Sequence, residues 1–257
     1  MSKKLFLTLS AATLLAAPIG TARADLILSS QVPISGSGIG AQNTILTIQN
    51  TGTESGCVGR AGGTDFIGTF ANVMVGSVTT GTTCTAGTNT DVKTGSSQTQ
   101  TRLLSETGVT SAANFGIIFN AVEPSGDAIT INRLSATFYR ADGSVAFVAN
   151  TGVNALGQPI SFAFPNTLTG QGNSGFLFVL DAAQQTAATA AGAFAGGGRV
   201  GVGASVSGAA GGNETFFVGN TGTVNVSTVP EPSTYALMAA GLAGVFGFAR
   251  RRRNRTA

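Results

Sequence analysis

From Asp25 onward, apolar and polar residues alternate with a period of two in one short run after another, which is the pattern of strands with one face on a core. Asn43–Ile48 and Asp65–Phe70, the latter continuing to Val78, are rich in β-branched and aromatic residues and read as strands. Phe115–Phe119 opens a denser region. Ile129 and Ile131 fall on odd positions, whereas Leu134, Ala136 and Phe138 fall on even ones. A regular strand cannot change face, so this shift predicts a β-bulge at Asn132–Arg133. Asp142–Gly143, between two alternating flanks, predicts a tight hairpin.

Ile160, Phe162 and Phe164 form a further alternating strand ended by Pro165. Phe176–Leu180 is apolar at every position and is expected to be central and covered on both faces. After it, Asp181 followed three residues later by Gln184 has the form of a capping box. The alanine-rich stretch as far as Phe194 then predicts a helix stopped by Gly196–Gly198, and this helix is the expected cover for one face. Val200, Val202, Ala204 and Val206 alternate with small residues, and Thr215–Val218 and Thr223–Val226 complete the strands. Thr79–Thr101 is different, a Thr-, Gly-, Ser- and Gln-rich stretch that reads as a long surface loop with at most an edge strand. About ten short strands with frequent turn signals and one inserted Ala-rich helix predict a mainly β protein, an antiparallel β-sandwich.

Thirty-seven glycines and 10% charged residues in 257 fit such a body. The net charge of +3 does not describe it. Eight of the fourteen Lys and Arg lie at the ends, at Lys3, Lys4, Arg23, Arg250–Arg253 and Arg255. The remaining six stand against eleven acids between Asp25 and Glu231, so this stretch carries six minus eleven, or −5. Nucleic acid is therefore not an expected partner, because its recognition needs a basic face on the folded body.

The N-terminal end is a positive start, Met1–Lys4, an apolar run from Leu5 to Ala17, and Ala22–Arg23–Ala24, the small-x-small ending of a secretory signal peptide cleaved after Ala24. The run is shorter than the roughly 20 residues of a spanning helix. Export makes the two cysteines, Cys57 and Cys84, a disulfide pair, worth about 3 kcal/mol in the chain-entropy model. Two thiols in a chain with no histidine do not complete a zinc shell, and no metal or other cofactor is expected.

The same lack of histidine removes the common catalytic triads and the default general base. Asp65, Glu106, Glu123, Asp127, Asp142 and Asp181 are numerous enough for a two-carboxylate glycosidase. Asp142 already has a place in a turn, Asp181 at a helix start, and Glu123 with Asp127 around Pro124–Gly126, so no catalytic residue is assigned and the body is read as non-enzymatic. Gly196–Gly203 follows a helix and precedes a strand, the reverse of phosphate-loop order. Without tryptophan, and with Tyr139 as the body's one tyrosine, an aromatic sugar platform has little material.

The last thirty residues join three unlike pieces. Val229, Pro230, Glu231 and Pro232 form a stiff extended motif, since each proline fixes its own φ and restricts the residue before it. Tyr235–Ala249 is fifteen uncharged residues, about 22 Å as a helix against a hydrocarbon core of about 30 Å. Arg250, Arg251, Arg252, Arg253 and Arg255 then act as a stop that stays cytoplasmic, leaving the N-terminus outside. This order resembles the C-terminal signal of the PEP-CTERM family of exported bacterial proteins. The resemblance implies recognition in the inner membrane by an exosortase at Pro230–Glu231–Pro232, cleavage near it, and release or attachment at the surface of an exopolysaccharide-producing cell. It covers the tail and leaves the body unassigned.

The expected organisation is a signal peptide at 1–24, a β-sandwich body at 25–227, and a sorting tail with a single short transmembrane helix at 228–257. The expected function is that of an exported cell-surface or exopolysaccharide-matrix protein with a structural or adhesive role. The expected partners are an exosortase-type enzyme, the inner membrane in passing, and exopolysaccharide. The alternatives are a loop-based carbohydrate- or calcium-binding module and, after it, a carboxylate hydrolase.

Overall fold

A computed structural model of the chain describes residues 26–34, 44–75, 78–95, 98–121, 128–154, 156–164 and 175–221. In chain order the strands are β1 (Leu26–Ile34), β2 (Thr44–Ile48), β3 (Thr51–Ala61), β4 (Thr64–Val75), β5 (Val78–Ala86), β6 (Arg102–Leu103), β7 (Phe115–Asn120), β8 (Ile129–Tyr139), β9 (Val145–Asn150), β10 (Phe162–Phe164) and β11 (Gly175–Leu180). Helix α1 (Ala182–Ala190) follows, then β12 (Arg199–Ala210) and β13 (Glu214–Asn220). Every strand pairing is antiparallel. One sheet has the order β1-β11-β7-β13-β2, and the other has β10-β8-β12-β3-β4-β5, with β9 added to β8 and β6 to β12.

Phenylalanines fill the space between the two sheets. Phe119 of β7 lies against Phe164 of β10, Phe176 of β11 and Phe216 of β13, at centroid distances of 5.9, 6.1 and 5.0 Å. Phe115 meets Phe138 of β8 at 4.9 Å. Each ring removes a large apolar area from water, and tilted or offset rings add about 0.5–1.5 kcal/mol per pair beyond that area. The five-stranded sheet is apolar on its other face as well, where Ile118, Leu177 and Phe217 form a smaller buried cluster. Phe176–Leu180 is thus a strand with a neighbour on each side and with both faces buried, as its unbroken apolar run predicts.

The phase shift in β8 is a bulge. Arg133 lies opposite Ser205 and Ile131 opposite Val206, so Asn132 is the extra residue. Ile129, Ile131, Leu134, Ala136 and Phe138 thereby all reach the core. Asp142–Gly143 does turn the chain, through a three-residue loop in which Gly143 N–H donates to Arg140 O and only Gly143 has positive φ.

Helix α1 starts as expected, with Gln184 N–H donating to Asp181 Oδ1 at 2.7 Å. It ends sooner, at Ala190 rather than Phe194. Gly192, at φ 72°, gives its N–H to Thr189 O while Ala193 N–H reaches back to Ala188 O, the paired bonds of a Schellman stop. An alanine run favours helix at every position, but one glycine in the left-handed region satisfies the orphan carbonyls sooner. The helix packs on β9, on the end of β11 and on the 3-10 turn at Ala112–Asn114.

Two stretches depart from the sequence pattern. Asp65 to Val78 is not one strand, because β4 ends at Val75 and pairs back on β5, Val75 opposite Val78. Residues 79–101 are also more than a surface loop. Their first part is β5, an edge strand, and the rest runs along β2, with Gln49 N–H to Asp91 O, Lys93 N–H to Thr47 O and Gln100 N–H to Ile45 O. Val92, Thr99 and Thr101 are buried there, so the segment packs by main-chain bonding where its side chains offer little apolar area. β3 was not legible at all. It is glycine-rich and polar, yet it lies between β12 and β4. Thr223–Val226 lies outside the described residues.

Candidate functional site

The cysteines pair. Cys57 on β3 and Cys84 on β5 form a disulfide with Cα atoms 5.8 Å apart, although β4 separates their strands in the sheet. The geometry is possible because β5 folds over β4 at Gly68, where any Cβ would collide with the Thr85 carbonyl. Asn89 holds the fold from the other side, its Nδ2 donating to Ser55 O at 2.8 Å and to Gly68 O at 2.9 Å. Asp91 accepts from Ser55 N–H at 3.0 Å and from Asn50 Nδ2 at 2.7 Å.

The carboxylates considered for catalysis are dispersed in structural positions. Asp65 binds Arg60 Nη1 at 2.6 Å and accepts from the Thr101 hydroxyl at 2.7 Å, while Arg199 donates to that hydroxyl and to Thr101 O. Glu106 accepts from Leu103 N–H at the start of a 3-10 turn. Asp142 accepts from the Ser144 hydroxyl and N–H, and these bonds hold its carboxyl below the usual range. Asp181 caps α1. Glu123 and Asp127 lie outside the described residues. Two fully buried acids stand apart from all of these, Glu54 on β3 and Glu214 on β13. Glu54 accepts from Asn50 N–H at 2.6 Å. Alternation cannot announce them, since an acid on a strand reads as solvent-facing. Tyr139 is buried rather than displayed, and burial pushes its phenol up, against hydrogen bonds from the Arg60 main chain and Thr137.

A polar concavity lies between β4 and the β8 bulge. Its volume is about 340 Å³. The β8 bulge supplies the floor: with Asn132 extra, both Asn132 and Arg133 point away from the core, next to Ser205 of β12. Phe70 and Asn72 of β4 form one wall, Pro159 and Ser161 before β10 the other. Phe70 reaches this face because β12 carries Gly203 beneath it, where a Cβ would meet the ring at 2.5 Å. Arg133 is 3% exposed and is steadied by Gly81 O at 3.3 Å and Asn150 Oδ1 at 3.4 Å. The bulge is legible in the sequence, but the cleft is not, because alternation does not say that Phe70–Asn72 of β4 lie over Asn132 and Arg133.

The remaining sites of interest are at the ends of the chain. Ala22, Ala24, the motif Val229–Pro232 and the arginines at 250–253 and 255 lie outside the described residues, as does the apolar segment Tyr235–Ala249. Among the described residues, no helix is long and apolar enough to cross a membrane, and no cluster of three acids or cysteines is arranged to hold a metal. No curated protein and no solved structure matches the chain significantly. A tail that joins a Pro-Glu-Pro motif, an apolar segment and an arginine cluster implies exosortase-type sorting and a cell-surface destination. Residues 228–253 match the family model of the PEP-CTERM protein-sorting motif, and the C-terminal tail of this protein is such a signal.

Proposed function

We propose that the protein is an exported component of the cell surface or exopolysaccharide matrix, non-enzymatic, with a structural or adhesive role. Residues 1–24 act as the signal peptide. The tail then halts the chain in the inner membrane with its N-terminus outside until an exosortase acts near Pro230–Glu231–Pro232. The observation that carries the reading is the sorting motif at 228–253. The Cys57–Cys84 disulfide supports it, because such cross-links persist in oxidising compartments. The absence of a catalytic role is supported by Asp65, Glu106, Asp142 and Asp181, each engaged in holding an arginine, a turn or a helix start.

A segment of about 22 Å fits a hydrocarbon core of about 30 Å poorly, which favours passage over permanent residence. The test is the intact mass and cell fraction of the wild type beside Glu231→Ala and Arg250–Arg253→Ala variants. The wild type is expected at the surface or in the medium, lacking both ends, and the variants in the inner membrane with the tail retained. Equal masses and equal distribution would overturn the sorting role. A second reading, a carbohydrate-binding module, is favoured by the cleft between β4 and the β8 bulge.

A further inference from the structure

We infer that the β9 side of the body is a self-association surface, on which a second copy of this chain adds its own β9 as an antiparallel strand. The inference deepens the structural role proposed above and rests on it for the setting, while the surface itself follows from three observations.

The first is an open sheet edge. β9 pairs with β8 alone. Thr151 N–H donates to Leu134 O, so the alternation of an antiparallel ladder directs the main chain of Phe147 and Ala149 at β8 and turns the N–H and C=O of Val148 and Asn150 outward. Arg140 Nη1 takes Val145 O, but among the described residues no hydrogen bond reaches those outward groups of Val148 and Asn150. The other edges are blunted. β2 is occupied by the segment from Asp91 to Gln100, β1 contains Pro33 and two register shifts, β10 has three residues, and β5 pairs across a shift at Val73–Met74. β9 has neither charge nor proline, and after the shift at its start Phe147–Asn150 runs in regular register.

The second is apolar exposure. Of the six large apolar side chains exposed among the described residues, five, Val73, Met74, Val145, Val148 and Leu156, belong to β9, the turn after it and the tip of the β4–β5 hairpin. Hydrogen bonds tie these elements together: Thr79 N–H donates to Gly157 O, the Thr79 hydroxyl to Met74 Sδ, and Arg133 Nη2 to both Gly81 O and Asn150 Oδ1. Val145 stands opposite Tyr139 and Val148 opposite Thr137, two positions apart on β8, so both valines share one face. Grouped apolar side chains of this kind mark a contact surface, whereas single ones do not.

The third is charge, which selects the occupant. No charged residue occurs from 66 to 90 or from 143 to 180, the stretches that carry these five side chains, whereas the chain between Asp25 and Glu231 carries −5. Two copies repel in most approaches and can meet where neither presents a charge. An antiparallel edge strand is also complementary to itself about a two-fold axis. With that axis at Ala149, Val148 lies opposite the second copy's Asn150. Two residues with two outward groups each, on two copies, supply eight groups and hence four main-chain bonds. One strand edge with its flanking side chains makes an interface of the small class, below about 1,200 Å², so the association is reversible and depends on concentration.

The experiment is sedimentation equilibrium with hydrogen exchange, on the full chain in detergent with its disulfide formed, over a range of concentrations and with or without a soluble neutral glucan. The wild type is expected to pass from monomer to dimer as its concentration rises, with the amides of Val148 and Asn150 slowing in step. Val148→Lys sets like charges in the contact, and Val148→Pro removes an outward N–H without touching the β8 ladder; each should raise the dissociation constant about ten-fold or more. Ile27→Lys, on the β1 edge, should leave it within about two-fold of the wild type. If Val148→Pro does not fold, Val148→Lys decides, and it should melt as the wild type does at monomer concentrations. A wild type that stays monomeric up to about 1 mM, a dimer that Val148→Lys leaves intact, an equal loss in Ile27→Lys, or slowing of the Val148 and Asn150 amides by the glucan at monomer concentrations would each overturn the proposal. None of these outcomes bears on delivery, which the mass and fractionation test reads separately.

Discussion

The phenylalanine layer and the β3–β4–β5 corner hold the same body together by opposite means. In the layer, Phe115, Phe119, Phe138, Phe164, Phe176 and Phe216 are essentially excluded from water and touch one another ring to ring. Stability there comes from area removed from water and from filled volume. The corner has little such area. It is built from Gly68, Gly203, threonines, the Cys57–Cys84 bond and the two main-chain acceptors of Asn89. What stabilises it is close main-chain approach, hydrogen bonds and a covalent link that restricts the unfolded chain. A protein with 37 glycines can therefore still carry a defined fold, provided that apolar side chains are concentrated in one layer and cross-links in the other region.

Substitutions in each region can break this contrast. The largest effect is expected for Phe119→Ala, which removes a ring shared by three others. Large-to-small core changes of this kind cost about 3–5 kcal/mol. Denaturant unfolding should show a lower midpoint with an unchanged slope, and every main-chain amide exchanging through global opening should exchange faster. Replacing both cysteines, Cys57→Ser with Cys84→Ser, is expected to cost about 3 kcal/mol by chain entropy. Hydrogen exchange in that variant should rise first in 79–101 and β3 and only later in β7 and β11. A loss of protection in the phenylalanine layer at the same rate would show that the two regions are one cooperative unit. Asn89→Ala should give the smallest change, about 1–2 kcal/mol, because it strips partners from the Ser55 and Gly68 carbonyls without opening a large cavity. Its signature is local exchange at the corner with the disulfide intact.

The same contrast explains what could be read in advance. The strands around the phenylalanines show either a period of two or, in Phe176–Leu180, an unbroken apolar run, and even the one-residue slip at Asn132–Arg133 shows as a change from odd to even positions. Asp181 and Gln184 announce the helix start by side-chain chemistry. The corner is silent because nothing alternates in Thr51–Ala61 or Thr79–Ala86. β3 exists through pairing with a partner distant in sequence, Gly203 with Cys57, and β5 through the hairpin that returns it onto β4, Phe70 with Cys84. Threonine's branched side chain suits an extended chain, but without an apolar face the preference looks like that of a polar loop. The cleft is hidden for a different reason, since its walls, Phe70 and Asn72 on one side and Pro159 and Ser161 on the other, meet only through the tertiary fold. The end of α1 falls short of the alanine run because Gly192, a poor helix former that adopts the left-handed region at φ 72°, interrupts it.

The segment from Asp91 to Gln100 has a consequence for how copies of this protein can meet. β2 is the last strand of its sheet, and the outward main-chain groups of Ile45, Thr47 and Gln49 would ordinarily form a template onto which another extended chain could add. Here their bonds are already taken by Asp91, Lys93 and Gln100 of the same molecule. Along this side the sheet is thus closed to the addition of another extended chain, and a second molecule that meets it here does so through side chains.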